Sequence, residues 1–210
     1  MKENYSKSGL AIALSKLKSF ENPKIRLEQY STPSELAASI LWIAHMKGDL
    51  QGKTADFGCG TGILGLGALL LGCPEVLFVE SEEKTLQTCK ENYKELKKKY
   101  PTLGKVSFFL GDVTQVNTKM RTVLQNPPFG TKEKHIDQVF LEKALSCADV
   151  VYTIHKVSTK TFIDRFIDEK GCRVTDYFEH AFPIKASMKF HKKPKKNVLV
   201  GVWRAEKKAL

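Results

Sequence analysis

Lys53-Thr54-Ala55-Asp56-Phe57-Gly58-Cys59-Gly60-Thr61-Gly62 is the stretch whose reading decides the fold. A short β-like run, residues 53–57, passes directly into three glycines spaced by one residue. A Gly- and Leu-rich helical stretch follows. Glycines at such a junction let the backbone turn sharply, and they leave helix N–H groups free to face a ligand. Outward from this point, β-like runs recur at residues 76–80, 106–110, 122–125 and 150–154. Helical stretches separate several of them, notably 82–99 and 136–148. This alternation predicts an α/β fold with a doubly wound, mostly parallel sheet. In the last third, residues 173–182 and 197–203 alternate in polarity and have no obvious helix between them. They are expected to be two closing strands, at least one antiparallel, which brings the sheet to seven strands. Toward the N-terminus, a helix is expected over residues 10–20 and a turn at Asn22-Pro23. A second helix is expected with Thr32 as N-cap, Pro33 at its first position and Glu35 completing a capping box.

The 210 residues fit one domain. Hydrophobic residues at 42% and charged residues at 27% exclude a disordered chain, and no apolar run reaches the roughly 20 residues that span a bilayer. Thirty-four Lys and Arg against 23 Asp and Glu leave a net charge of +11, a balance that suits a polyanionic partner or a Lys-rich solvated surface. The five cysteines are odd in number and none has C-x-x-C spacing. The histidines likewise lack metal-ligand spacing. A reducing compartment and the absence of a metal are the expectations.

Two motifs carry chemistry. Glu80 ends the strand-like run after the glycine loop, where its carboxylate can accept from both hydroxyls of a ribose. Loop and acid together imply an adenosine-type cofactor over the sheet edge. The loop reads in two frames. Gly60, Gly62 and Gly65 satisfy the dinucleotide fingerprint, but that frame starts three residues past the strand. Gly58, Gly60 and Gly62, preceded by an acid, meet the strand end as in methyltransferases that use S-adenosylmethionine (SAM). The second motif is Asn126-Pro127-Pro128-Phe129-Gly130. Two prolines force a rigid exit from the strand. The Asn126 side-chain oxygen and the Pro127 carbonyl then act as paired acceptors for an exocyclic amine. Phe129 offers a face on which a base can stack. A structural turn with a capping Asn is the bland alternative.

Asn-Pro-Pro-Phe in this place resembles the amino-methyltransferases. Leu27-Glu28-Gln29-Tyr30-Ser31-Thr32-Pro33, residues 126–132, Ile154-His155-Lys156 and Phe190-His191-Lys192-Lys193 occur in the same order in the methyltransferase-like 5 family and its archaeal relatives. The resemblance spans residues 10–203. It implies a Rossmann-like methyltransferase sheet with an antiparallel closing strand. The implied activity is SAM-dependent methylation of adenine N6 in small-subunit ribosomal RNA. It further implies a cofactor site made by Gln29, Tyr30, Thr32, Gly58, Gly60, Thr61, Gly62, Ile63, Glu80, Asp112 and Val113. Asn126, Pro127, Pro128 and Phe129 would hold the acceptor amine. His155, Lys156, Phe190, His191, Lys192 and Lys193, the last four in a basic connector running from Lys185 to Lys196, would face RNA. Family members can depend on a small zinc-binding adaptor protein. The domain is expected to divide into an N-terminal helical segment (1–50) covering the cofactor, a catalytic core (51–203) and a basic tail (204–210), in a cytoplasmic protein with no membrane partner. Two other functions fit less of the chain: a glutamine-amide protein methyltransferase, which usually carries Tyr where Phe129 stands, and a non-catalytic SAM-binding RNA assembly factor.

Overall fold

The computed structural model describes residues 6–20, 31–128, 135–185 and 195–208. The elements run α1 (Lys7–Ser15), α2 (Ser34–Met46), β1 (Lys53–Phe57), α3 (Ile63–Leu70), β2 (Glu75–Glu80), α4 (Glu83–Lys99) and β3 (Lys105–Leu110). They continue as β4 (Met120–Gln125), α5 (Ile136–Cys147), β5 (Ala148–Lys156), α6 (Lys160–Glu169), β6 (Cys172–Lys185) and β7 (Lys195–Lys207). The sheet order is β3-β2-β1-β4-β5-β7-β6. All neighbours are parallel except β7, which is antiparallel to both β5 and β6. The seven-stranded, mostly parallel sheet is the one expected, with the reversed strand seated between β5 and the edge strand β6.

Both faces are covered, as parallel strands require. Against one face α1, α2 and α3 bury Leu10, Leu14, Leu36, Leu41 and Leu66. Against the other, α5 and α6 bury Leu141, Leu145, Ile163 and Ile167 beside Trp203. No helix among the described residues is long and apolar enough to cross a membrane.

The winding direction reverses between β1 and β4, which opens a crevice beyond their carboxyl ends. Register decides what reaches it. Phe57 lies opposite Gln125, Val79 opposite Phe57, and Thr153 opposite Gln125. The glycine loop, Glu80 and Asn126 therefore all leave the sheet at one level.

Four expectations are corrected. The first helix is Lys7–Ser15, capped by the Ser6 hydroxyl, which accepts from Gly9 N at 3.1 Å, and does not run over 10–20. The second starts at Ser34 with Pro33 in the cap position and no side-chain cap, so Thr32 and Glu35 form no capping box. Helix α6 is an additional element that the alternation of runs does not predict, although Phe162, Ile163, Phe166 and Ile167 are spaced to pack one face. Residues 204–207 are not a basic tail. They continue β7, and Arg204 is buried against Asp49 because a long hairpin with β6 carries the strand across the sheet.

Candidate active site

Gly58, Gly60 and Gly62 all have positive φ, at 62°, 55° and 93°. An L side chain at Gly62 would also put its Cβ 2.5 Å from Cys89 Sγ. The loop thus needs glycine for conformation and for space. Gly65, third in the dinucleotide frame, sits inside α3. There a Cβ would come within 2.4 Å of the Phe78 ring, so its role is helix-on-strand packing.

Glu80 is tied to this loop. Its Oε2 accepts from Gly60 N at 3.0 Å, while Oε1 accepts from Ser81 N at 2.9 Å and Glu82 N at 3.0 Å. The carboxylate is thereby held at the loop, in reach of a ligand lying on Gly60. If this carboxylate holds a ribose, replacing Glu80 by Ala weakens SAM binding by about 1.5–3 kcal/mol, roughly 10–150-fold in Kd. Calorimetric titration checks it, and unchanged affinity would move the cofactor elsewhere.

Asp56, at the end of β1, is buried and accepts from Gly65 N at 2.8 Å. Burial pushes its pKa from 3.8 to about 7, against the Gly65 hydrogen bond and with help from the Glu80 charge. The folded chain then keeps a proton that the unfolded chain loses near pH 4. Stability from this group therefore falls as pH rises from about 4 to 7. Between pH 5 and 8 the loss is expected to approach about 3 kcal/mol at 1.36 kcal/mol per pK unit. Asp56→Asn, which keeps an acceptor for Gly65, should flatten that slope in urea unfolding. An equal slope in both proteins would refute the assignment.

Asn126 follows β4 directly. Its Nδ2 donates to Thr32 Oγ1 at 3.0 Å, which fixes the amide's orientation. Its Oδ1 is buried and has no hydrogen-bond partner among the described residues. An acceptor left unpaired out of water costs about 1–3 kcal/mol, so it marks a place where a ligand donor belongs. Pro127 and Pro128 follow outside any regular element. Asp112 caps a 3-10 turn at residues 113–115. Its Oδ1 accepts from Thr114 N at 2.8 Å and from Thr114 Oγ1 at 2.6 Å, and Val113 beside it is buried. The turn role and a further contact from Oδ2 are compatible. Thr61 is buried in the loop and Ile63 opens α3 half-buried.

Two residues of this region were missed. Asn92 on α4 accepts from Lys18 N at 2.9 Å, donates to Lys18 O at 3.0 Å and donates to Thr61 O at 2.9 Å. It staples the segment after α1 to the glycine loop. Phe20 consequently rests on the loop, its ring 3.1 Å from where a Cβ on Gly60 would stand. A buried Asn on an otherwise charged helix was the available signal for the first. Nothing local marked the second.

His155 does not belong with an RNA-facing group. It is 1% exposed, with its ring edge-on to Trp203 at a centroid distance of 5.7 Å. It lies on the same face of β5 as Thr153, beneath α5 and α6. Lys156 ends β5 and is half-buried. Gln29, Tyr30, Phe129, Phe190, His191, Lys192 and Lys193 lie outside the described residues. The hairpin shortens the connector, since Lys185 already pairs with Lys195. Among the described residues no group of three His, Cys, Asp or Glu is placed to hold a metal.

The methyltransferase small domain model matches residues 30–149. The chain is 38% identical to the rRNA N(6)-adenosine-methyltransferase Mettl5 of Drosophila melanogaster, over 89% of this chain and 90% of that one. It is 36% identical to an uncharacterised protein of Methanocaldococcus jannaschii, over 96% and 94% of the two chains. The crystal structure of a Pyrococcus horikoshii protein, provisionally described as an RNA methyltransferase, superposes with a TM-score of 0.88 at 42% identity, covering 98% of this chain and 99% of that one.

Proposed function

The chain belongs to the methyltransferase small domain family and, within it, to the methyltransferase-like 5 group; from that premise we propose that it transfers a methyl group from SAM to the N6 amine of an adenosine in RNA, in small-subunit ribosomal RNA. The observation that carries this reading is the orphaned Asn126 Oδ1, buried at the strand end with its amide orientation set by Thr32.

The N6 amine has two N–H groups. Asn126 Oδ1 and the Pro127 carbonyl accept one each. Drawing both protons toward acceptors localises the lone pair out of the ring plane, aimed at the methyl donor. The two acceptors also stabilise the positive charge that grows on nitrogen in the transition state. SAM supplies the methyl group on a sulfonium that needs no further activation. No strong base is required, because the protonated product amine releases its proton to solvent. Rate comes from in-line placement. The target base has to be unstacked to reach Asn126, so a single-stranded or flipped nucleotide is the substrate form.

The residues fit the cofactor. Gly58, Gly60 and Gly62 give backbone access, Glu80 would hold the ribose, and Asp112 with Val113 would meet the adenine. The excess of Lys and Arg supports RNA over protein as substrate. A cytoplasmic location belongs to the same proposal and rests on the odd, unpatterned cysteines. A small zinc-binding adaptor is carried forward as a partner. The outer strand β3, where Leu110 is exposed, is the edge such a protein would pair with. The test is mass spectrometry of nucleosides and of peptides after incubation with labelled SAM, total RNA and total protein. N6-methyladenosine is the expected product. Label on a glutamine amide would select the protein-methylating reading, and SAM binding with no transfer would select an assembly factor.

A further inference from the structure

Three buried polar side chains and the half-buried Asp137 form one series behind Asn126. Gln125 Nε2 donates to Thr153 Oγ1 at 3.0 Å, and Thr153 Oγ1 lies 2.8 Å from His155 Nε2. His155 Nδ1 faces Asp137 Oδ2 at 3.8 Å. Gln125, Thr153 and His155 are all buried.

Counting protons gives the series a direction. The Thr153 hydroxyl has a single proton and already accepts from Gln125. With the neutral imidazole that burial favours, that proton goes to His155 Nε2 as acceptor. The neutral imidazole carries its proton on Nδ1, toward the Asp137 carboxylate. Burial favours that neutral form, holding the His155 pKa below its usual value.

The series is hydrogen-bonded to the residue before Asn126 and faces the first turn of α5 at its other end. Gln125 is the last residue of β4, immediately before Asn126. Asp137 is in the first turn of α5. Between them the chain carries Asn126, Pro127 and Pro128. Thr153 and His155 sit on β5, a strand hydrogen-bonded on both sides and so the stiffest available anchor. Trp203 holds the imidazole edge-on, and its Nε1 donates to Asp164 Oδ1 at 2.8 Å. Stability alone would be served as well by apolar residues here, because a buried polar series repays its desolvation only when every member is satisfied. Gln125 Oε1 is buried without a partner among the described residues, so this one is not fully satisfied.

We infer that His155 is a positioning residue for methyl transfer: through Thr153 it holds Gln125, and with it the strand end that bears Asn126. The inference rests on Asn126 being the group that addresses the acceptor amine. A misplacement of about 1 Å at a reacting centre can cost on the order of 10²-fold in rate, so the clamp acts on kcat.

The experiment compares wild type with Thr153→Val, Thr153→Ser and His155→Leu. Thr153→Val keeps the shape and removes the hydroxyl, while Thr153→Ser keeps the hydroxyl. Thr153→Val and His155→Leu are expected to lower kcat at least about tenfold, with KM for RNA and Kd for SAM within about twofold; Thr153→Ser should recover most of the loss. Amide hydrogen exchange of a peptide covering residues 124–140 should be faster in Thr153→Val than in wild type, a readout that needs no substrate. Unchanged kcat, or unchanged exchange, overturns the clamp. A raised KM for RNA at constant kcat in His155→Leu also overturns it and makes His155 an RNA contact. If wild type methylates no RNA at all, the proposed function fails on its own, while exchange still decides whether the clamp exists.

Discussion

Asn126→Ala is expected to reduce single-turnover methyl transfer about 10²–10³-fold, the range found when one preorganised contact to developing charge is removed. SAM affinity should stay within about twofold. The separation follows from where the side chain points. Its Nδ2 is committed to Thr32, and among the described residues nothing pairs with the Oδ1 that would meet the acceptor amine. The mutation removes an acceptor that matters most once the nitrogen becomes positive; toward the cofactor side it loses only the hydrogen bond to Thr32 Oγ1. It also removes an unsatisfied buried oxygen. That gain offsets the lost hydrogen bond to Thr32, so folding stability should change by no more than about 1 kcal/mol. Rapid-quench assays with labelled SAM on RNA, paired with calorimetry and thermal unfolding, read all three quantities. Near-normal transfer by the mutant would end the assignment of Asn126 to the amine.

Asp49→Ala is expected to cost about 3–5 kcal/mol of folding stability, the penalty typical of removing one partner from a buried ion pair. Asp49 follows α2 and is fully buried. It accepts from Arg204 Nε at 2.8 Å and Nη2 at 3.0 Å, and from the Tyr152 hydroxyl at 2.7 Å. Its backbone carbonyl also accepts from Thr122 Oγ1 at 2.7 Å. One residue thus joins α2, β4, β5 and β7. Without its carboxylate the Arg204 guanidinium keeps Glu206 and Thr175 at its other end but leaves two donors facing the core. Urea unfolding measures the loss. The double substitution Asp49→Leu with Arg204→Met should recover much of it, because an apolar pair of similar volume avoids the desolvation penalty. A loss below about 1 kcal/mol in Asp49→Ala would mean that water reaches the pair and screens it.

The elements of this fold whose causes are local were legible in the chain. Three glycines spaced by one residue after a five-residue β run demand a tight turn, whatever surrounds them. Two successive prolines after Asn126 end a strand by covalent geometry alone. Alternation of short apolar runs with helical stretches then leaves a parallel sheet as the architecture that covers both faces of each strand. Contacts between distant residues were not legible. Thr32 read as a helix cap because its neighbours had the right pattern, yet its hydroxyl is used 94 residues away, on Asn126. Arg204 read as part of a basic tail because charge at a chain end is normally solvated, yet it closes a pair with a residue 155 positions earlier. His155 is the most instructive case. In a strand with one wet face, alternation would show which way it points. β5 is covered on both faces, so the apolar residues around it run almost without interruption and their period carries no direction. Only the register of β5 against β4 and β7, set by the packing of α5 and α6 against one face, turns His155 inward beside Thr153 and away from any polyanion at the surface. The sequence by itself determined which backbone turns must exist; the tertiary structure decided which side chains those turns bring together, because register and burial depend on contacts that no local pattern records.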